Sequence, residues 1–133
     1  MSARVSTSTI RVRYAETDQM GIAHHAEYLA WFEVGRTDLL RQSGMTYREL
    51  EAGGVRLPVI GASVRYLRPA FYDDLLEVRT ELAEIGGARM GFQYEVRRSG
   101  TEGPLATGST EHATVDAQGR PRRMPESLRR TFA

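Results

Sequence analysis

A carboxylate and two histidines stand close together in the polar loop that follows Tyr14. They are Asp18, His24 and His25, and Glu16 lies in the same loop. A carboxylate can attack a carbonyl carbon as a nucleophile, or it can activate a water molecule as a general base. A helix N-terminus next to it offers free N–H groups that bind an oxygen carrying negative charge. Together, a carboxylate and a helix N-terminus are what acyl chemistry requires.

The helix that would supply this terminus is predicted from spacing. Apolar residues after the loop recur at steps of three and four, which indicates an amphipathic helix starting near Ala26. Gly44 follows the last periodic residue, where a left-handed cap belongs. The apolar stripe consists of Tyr28, Trp31, Phe32, Gly35 and Leu39, widened by Leu29, Val34 and Leu40. Glycine inside a helix costs about 1 kcal/mol relative to alanine. We therefore expect a strand or a partner to approach Gly35 closely, and we expect Glu33 and Arg36 to be interface or surface charges.

Alternation between apolar and polar residues predicts five strands. They cover residues 9–14, 57–67, 76–82, 90–96 and 105–115. The Gly86-Gly87 pair predicts a tight hairpin between the third and fourth strands. The fifth strand has small residues on both faces, which fits a crowded central position or a close approach by another sheet.

Two short helices and an N-terminal arm complete the prediction. Thr46 to Glu49 has a capping-box pattern that opens a helix ending at Gly53-Gly54. Pro125 and Glu126 are typical of the first turn of a terminal helix. Residues 1–8 are expected to form a loose arm. The order of one strand, one long helix and four sequential strands predicts an α+β fold, a five-stranded antiparallel sheet wrapped round one long central helix.

Composition limits the class of protein. The chain of 133 residues is long enough for a single domain with a modest core. It contains no cysteine, which excludes disulfides, thiolate nucleophiles and cysteine metal sites. The segment MSARVSTST has no apolar stretch, and no later run is long enough to span a bilayer. We therefore expect neither a signal peptide nor an anchor, and a cytoplasmic location.

The basic residues of the chain are concentrated near its end. Residues 119–133 hold five arginines and one acid, although the net charge of the whole chain is only +1. A basic tail can bind nucleic acid, but it is more often a solvated face. No nucleic-acid partner is expected.

The segment from Asp18 to Arg36 resembles the hot-dog-fold thioesterases of the 4-hydroxybenzoyl-CoA thioesterase group. It is most similar to the short bacterial acyl-CoA thioesterases related to the Tol–Pal-associated one. The motif is an aspartate, a Gly-hydrophobic pair, an aromatic residue or histidine at the helix start, and a tyrosine three positions later. These positions are Asp18, Gly21-Ile22, His25 and Tyr28, and the helix continues as Leu29-Ala30-Trp31-Phe32-Glu33 with Arg36.

The resemblance implies an enzyme that hydrolyses an acyl-CoA thioester without a cofactor or a metal. It implies that Asp18 is catalytic and that the backbone N–H of His25 binds the thioester oxygen. Tyr28 would line the acyl pocket. The family's short basic run before the fourth strand is reduced here to Arg89, which would contact CoA. Arg65 and Arg68 are candidates by charge alone, and a solvated face is the more common role for such arginines. A homodimer, commonly doubled to a homotetramer, is also implied.

Several alternatives remain open from the residues alone. Asp18 and Gly21 suit a type I turn, so Asp18 could be structural. As a catalyst it could act as nucleophile or as general base. The imidazole of His25 could position substrate or only close the loop.

The residues also bear on three other classes of function. Adjacent histidines point in different directions, which disfavours a metal site. The hot-dog hydratases use an aspartate and a histidine five positions apart in an Asp-x-Asn-Pro-x-His pattern, and this chain lacks both that spacing and the Asn-Pro pair. A non-catalytic acyl-CoA-binding or protein-interaction module is the remaining alternative.

Overall fold

The computed structural model describes residues 4–132. In chain order the strands are β1 (Val5–Arg11), β2 (Val59–Tyr66), β3 (Leu75–Gly86), β4 (Arg89–Arg98) and β5 (Ala106–Ala113). The helices are α1 (Glu27–Gln42), α2 (Tyr47–Ala52) and α3 (Glu126–Phe132), and a 3-10 turn covers Tyr14–Glu16.

The five strands form one antiparallel sheet in the order β1-β3-β4-β5-β2. Helix α1 packs across β1 and β3 and reaches β4. The predicted α+β architecture, a sheet wrapped round one long helix, is therefore confirmed. Strands β1 and β2 are the two edges of the sheet.

The core lies between α1 and the concave face of the sheet. Alternate residues of β3 and β4 are buried there, and the register pairs Val78 with Val96 and Thr80 with Tyr94. Phe32 of α1 stacks on Tyr94 with ring centroids 4.2 Å apart. The alternation that predicted these strands thus marks the face that α1 covers.

Two glycines allow the helix and the sheet to approach closely. A Cβ atom on Gly35 would overlap Thr80 Oγ1, which confirms that a strand passes against this point of α1. A Cβ atom on Gly108 would lie 2.5 Å from Phe32 Cε2 and 2.6 Å from the Ser63 carbonyl oxygen. Strand β5 lies between β4 and β2, so its small residues do occupy a crowded, non-edge position.

The first strand differs from its prediction. It begins at Val5 and ends at Arg11, so residues 5–8 are not a loose arm; residues 1–3 lie outside the described part of the chain. Tyr14 belongs to the 3-10 turn and its side chain is exposed. The buried positions of β1 are Ser6 and Ser8, which give no apolar periodicity.

The charge pattern of α1 also differs in part. Arg36 was expected at a surface or an interface, but its side chain is half-buried and its Nε donates to the Tyr47 hydroxyl at 3.2 Å. Leu29 and Val34, which were expected to widen the buried stripe, are 43% and 41% exposed. The helix therefore buries a narrower stripe than the sequence predicts.

Candidate active site

The loop between β1 and α1 is held in place by Glu16, a buried carboxylate. Glu16 Oε2 accepts from the Trp31 indole N–H at 3.1 Å, and Oε1 accepts from the Arg13 backbone N–H at 2.7 Å. The Glu16 carbonyl accepts from the His24 N–H at 2.7 Å. One residue thus joins both ends of the loop to the core helix. Sequence reasoning assigned Glu16 no role, because its partners are distant in the chain.

Asp18 does form the turn that its spacing with Gly21 suggests. The Gly21 N–H donates to the Asp18 carbonyl at 3.0 Å, and the Met20 N–H donates to Asp18 Oδ1 at 2.8 Å. Gly21 has φ +80°, a conformation that disfavours any side chain. Within residues 4–132, no hydrogen bond uses Asp18 Oδ2. One carboxylate oxygen therefore holds the turn while the other has no protein donor.

The His25 N–H, two residues before α1, is a backbone donor with no acceptor in the described chain. The His24 N–H donates to the Glu16 carbonyl, and the Glu27 N–H donates to the His24 carbonyl at 3.0 Å. The Ala26 N–H donates to His24 Nδ1 at 3.1 Å. The His25 carbonyl accepts from the Tyr66 hydroxyl at 2.7 Å. In the described chain, the His25 N–H alone among these groups has no acceptor.

A cleft of about 480 Å³ brings the predicted residues together. Asp18, His25 and Tyr28 all line it, and its other walls come from Met20, Ile22, Ala23, Tyr66, Leu67, Arg68 and Pro69. The walls are mostly apolar and aromatic, with Asp18 and Arg68 as the charged groups. The cleft can thus hold an apolar acyl group beside a carboxylate and a free N–H donor.

Tyr28 forms the buried floor of this cleft. Its ring packs against Trp31 at 4.6 Å and edge-on against Tyr66 at 5.0 Å, measured between centroids. Burial raises the pKa of Tyr28, and a hydrogen bond with the Ala70 backbone opposes that effect. The phenol therefore stays protonated at neutral pH and serves as a wall rather than as a base.

Arg89 does not line this cleft. Arg89 is the first residue of β4, whereas the cleft lies beside Tyr66. Tyr66 pairs with Ala106, and Ala106 pairs with Val96 near the other end of β4. The seven residue-to-residue steps from Arg89 to Val96 span about 23 Å at 3.3 Å each. Arg68 is the arginine that reaches the cleft, with its guanidinium donating to the Glu102 carbonyl at 2.9 Å. A CoA contact by Arg89 remains a prediction.

The third histidine, His112, is part of the core. Its Nδ1 lies 3.0 Å from the Leu57 carbonyl and its Nε2 lies 2.9 Å from Thr110 Oγ1. Burial lowers the pKa of His112, with a smaller contribution from Arg36, while the Leu57 carbonyl opposes the shift.

Among residues 4–132, no cluster of three metal-ligating side chains occurs. In the same part of the chain, no helix is long and apolar enough to cross a membrane.

Comparison with known proteins gives a consistent result. Residues 12–132 match the Thioesterase-like superfamily. The putative acyl-CoA thioesterase YneP of Bacillus subtilis is 39% identical over 114 residues, covering 86% of this chain and 82% of that protein. The acyl-CoA thioesterase YbgC of Haemophilus influenzae is 33% identical, covering 92% and 90%. The DHNA-CoA thioesterase structure from Staphylococcus aureus superposes with a TM-score of 0.90 at 31% identity, covering 96% and 87%.

The fold and the cleft thus define a hot-dog domain with a mostly apolar cleft at the start of its central helix. The chain belongs to the Thioesterase-like superfamily.

Proposed function

We propose that this protein is an acyl-CoA thioesterase that hydrolyses its substrate to a carboxylate and free CoA. Asp18 attacks the thioester carbonyl, either directly or through a water that it deprotonates. The His25 N–H donates to the carbonyl oxygen as negative charge develops on it. Tyr28 and the apolar wall of the cleft receive the acyl group.

The observation that carries this proposal is the unused His25 N–H in the same cleft as Asp18. A free backbone N–H at a helix start is already held in position by the helix. No free energy is therefore needed to reorient it during the reaction. A turn-forming aspartate alone would need neither the donor nor the cleft. The names of the relatives, acyl-CoA thioesterases, support the same reaction.

Release of free CoA is the direct test. The protein is incubated with a panel of aliphatic and aromatic acyl-CoA thioesters, and the new thiol is measured with a thiol-reactive chromophore. Because the chain has no cysteine, the enzyme itself contributes no signal. Saturable CoA release from at least one thioester supports the proposal. Binding of acyl-CoA without release would indicate a non-catalytic module instead.

The enzyme is further proposed to act as a homodimer, or as a homotetramer built from dimers. Strand β2 is an edge of the sheet and exposes Val59, Ile60 and Tyr66, and Leu67 directly after the strand is exposed as well. The exposed side chains of Leu29 and Val34 add to the apolar surface of the monomer. An open edge rich in apolar side chains usually requires cover, and a second copy would supply it.

A cytoplasmic location is proposed from the substrate. Acyl-CoA thioesters are made and used in the cytoplasm, so an enzyme that hydrolyses them meets its substrate there. Fractionation of cells that express the full chain tests this, and recovery of the protein outside the cytoplasmic fraction would contradict it.

A further inference from the structure

Two side chains outside the catalytic pair fix the backbone around His25. The Tyr66 hydroxyl lies 2.7 Å from the His25 carbonyl oxygen, and His24 Nδ1 lies 3.1 Å from the Ala26 nitrogen. The His25 carbonyl and the Ala26 N–H belong to the same peptide unit. One hydrogen-bond chain therefore runs from Tyr66 through this peptide to the imidazole of His24.

The direction of every bond in this chain is fixed by chemistry. A carbonyl oxygen only accepts, so the Tyr66 hydroxyl must donate. A backbone N–H only donates, so His24 Nδ1 must carry a lone pair, and the proton of the neutral ring must be on Nε2. Bonds at the two ends of one peptide polarise each other in the same sense.

The consequence is that the His25 N–H is left free while the backbone groups on both sides of it are occupied. From the His24 N–H to the Glu27 N–H, Glu16, Tyr66 and His24 itself occupy the other backbone groups. Without the Tyr66 hydroxyl, the peptide between His25 and Ala26 could rotate. Without the imidazole of His24, the Ala26 N–H would also be free and would compete for the substrate oxygen. A displacement of about 1 Å is enough to impair an aligned donor.

We propose that Tyr66 and His24 are positioning residues that hold the His25 N–H in its catalytic orientation. This inference rests on the proposed thioesterase function. Neither residue needs to touch the reacting atoms to do so. Tyr66 is placed on the edge strand β2, and His24 is the residue before the donor.

Kinetics of matched variants provide the first test. Tyr66→Phe removes the hydroxyl but keeps the ring that packs on Tyr28. We expect kcat to fall about fivefold to tenfold, the usual effect of one hydrogen bond, with KM changed less than about twofold. His24→Ala should have a similar effect. His24→Asn should restore most of the rate, because its side-chain oxygen can accept the N–H two residues later.

The control is Tyr14→Phe, an exposed tyrosine whose hydroxyl bonds no residue in the described chain. It should leave kcat and KM at parental values. The inference is overturned if Tyr66→Phe keeps the parental kcat. It is also overturned if the loss appears in KM with a changed acyl preference, because Tyr66 would then act only as a wall of the cleft.

The tautomer of His24 provides a second test that needs no activity. The chain has three histidines, so a two-bond ¹H–¹⁵N spectrum with single His variants assigns each ring. In neutral imidazoles we expect His24 as the Nε2–H form. His112 is an internal contrast, because its Nδ1 faces the Leu57 carbonyl and must carry the proton. An Nδ1–H form of His24 would refute the inference. If the parent cleaves no thioester, the proposed function fails and the tautomer alone decides whether the hydrogen-bond chain exists.

Discussion

Asp18 has two oxygens with different surroundings. Oδ1 accepts from Met20 and holds the turn, whereas Oδ2 has no hydrogen bond within the described chain. The chain contains a second turn of the same kind at Asp116, whose Oδ1 accepts from the Gln118 N–H at 2.9 Å. No helix with a free N–H at its start follows directly after that turn. Turn formation therefore explains one oxygen of Asp18 and leaves the other without a donor in the described chain.

Asp18→Asn should lower kcat by about 10²–10⁴, because an amide keeps the Met20 contact but cannot act as nucleophile or base. The measurement is CoA release under saturating substrate, with circular dichroism melting to show that the fold is intact. Asp116→Asn is the matched control and should keep the parental rate. Near-normal turnover by Asp18→Asn would exclude Asp18 as the catalytic group.

At the donor itself, His25→Ala and His25→Pro should separate backbone from imidazole. Alanine keeps the N–H and should preserve much of the rate. Proline removes it and should lower kcat by about 10²–10³. The N–H of His25 bonds no described residue, so proline breaks no hydrogen bond of the fold, and His25 precedes α1, outside the helix interior where proline is costly. Equal losses in two folded variants would show that the imidazole is required.

Sequence reasoning predicted candidate site residues that are close in the chain. Asp18, His25 and Tyr28 follow one motif and line one cleft. Tyr66 and Glu16 were missed as supports, because Tyr66 is 41 positions from His25 and Glu16 is 15 positions from Trp31. A hydrogen bond over such a separation depends on the packing of whole elements, and one sequence carries no local pattern for it.

At the scale of elements, the contact between α1 and β3 is set by Gly35. Thr80 Oγ1 is buried there without a hydrogen-bond partner in the described chain. Gly35→Ala should therefore lower the free energy of unfolding by about 1–3 kcal/mol through overpacking, despite the better helix propensity of alanine. Urea unfolding at fixed protein concentration measures the change.

Thr80→Ala supplies the control for this contact. It removes the hydroxyl that a new methyl at position 35 would meet, so the double variant should recover most of the lost stability. If the two effects simply add, the helix and the strand do not compete for this space, and the account of Gly35 is wrong.

The elements that the sequence predicted well are those with an apolar face. Strands β3 and β4 and helix α1 have clear periodicity, and the structure places them as expected. Strand β1 was predicted too late in the chain because its buried positions are Ser6 and Ser8. Ser8 Oγ donates to Asp38 Oδ2 of α1 at 2.6 Å. A polar contact between strand and helix leaves no hydrophobic alternation to find.

For the whole molecule, His112 should make stability depend on pH. Burial lowers the pKa of this ring below the ordinary value of 6.5. Below pH 6.5 the His112 ring binds a proton more readily in the unfolded chain than in the folded one. The free energy of unfolding therefore decreases as the pH falls below 6.5. The stability is fully present above that pH. Urea unfolding at neutral pH and about one unit below 6.5 measures the loss, at most about 1.4 kcal/mol per unit.

His112→Asn keeps a donor for the Leu57 carbonyl and removes the titration. The variant should be less stable at neutral pH, because Thr110 loses its acceptor, but its stability should fall less on acidification. A parental acid dependence in the variant would assign the effect to other groups.

Assembly can be tested along β2. Light scattering at micromolar concentration should give at least a dimer, and Ile60→Arg on the exposed edge should shift it towards the monomer. Thr7→Arg, on the opposite edge strand β1, should leave the dimer intact. A stable, active monomer of the parent chain would refute the proposed dimer.

The position of Tyr66 links this edge to catalysis in a way that ordinary enzyme assays can detect. Tyr66 belongs to β2, the strand that a second copy would cover, and its hydroxyl donates to the carbonyl of His25, whose N–H is the proposed oxyanion donor. A subunit that loses its neighbour would leave this strand unsupported and its donor poorly aligned. Specific activity should then fall on dilution and recover on concentration, so that turnover per subunit reports the dissociation constant of the assembly.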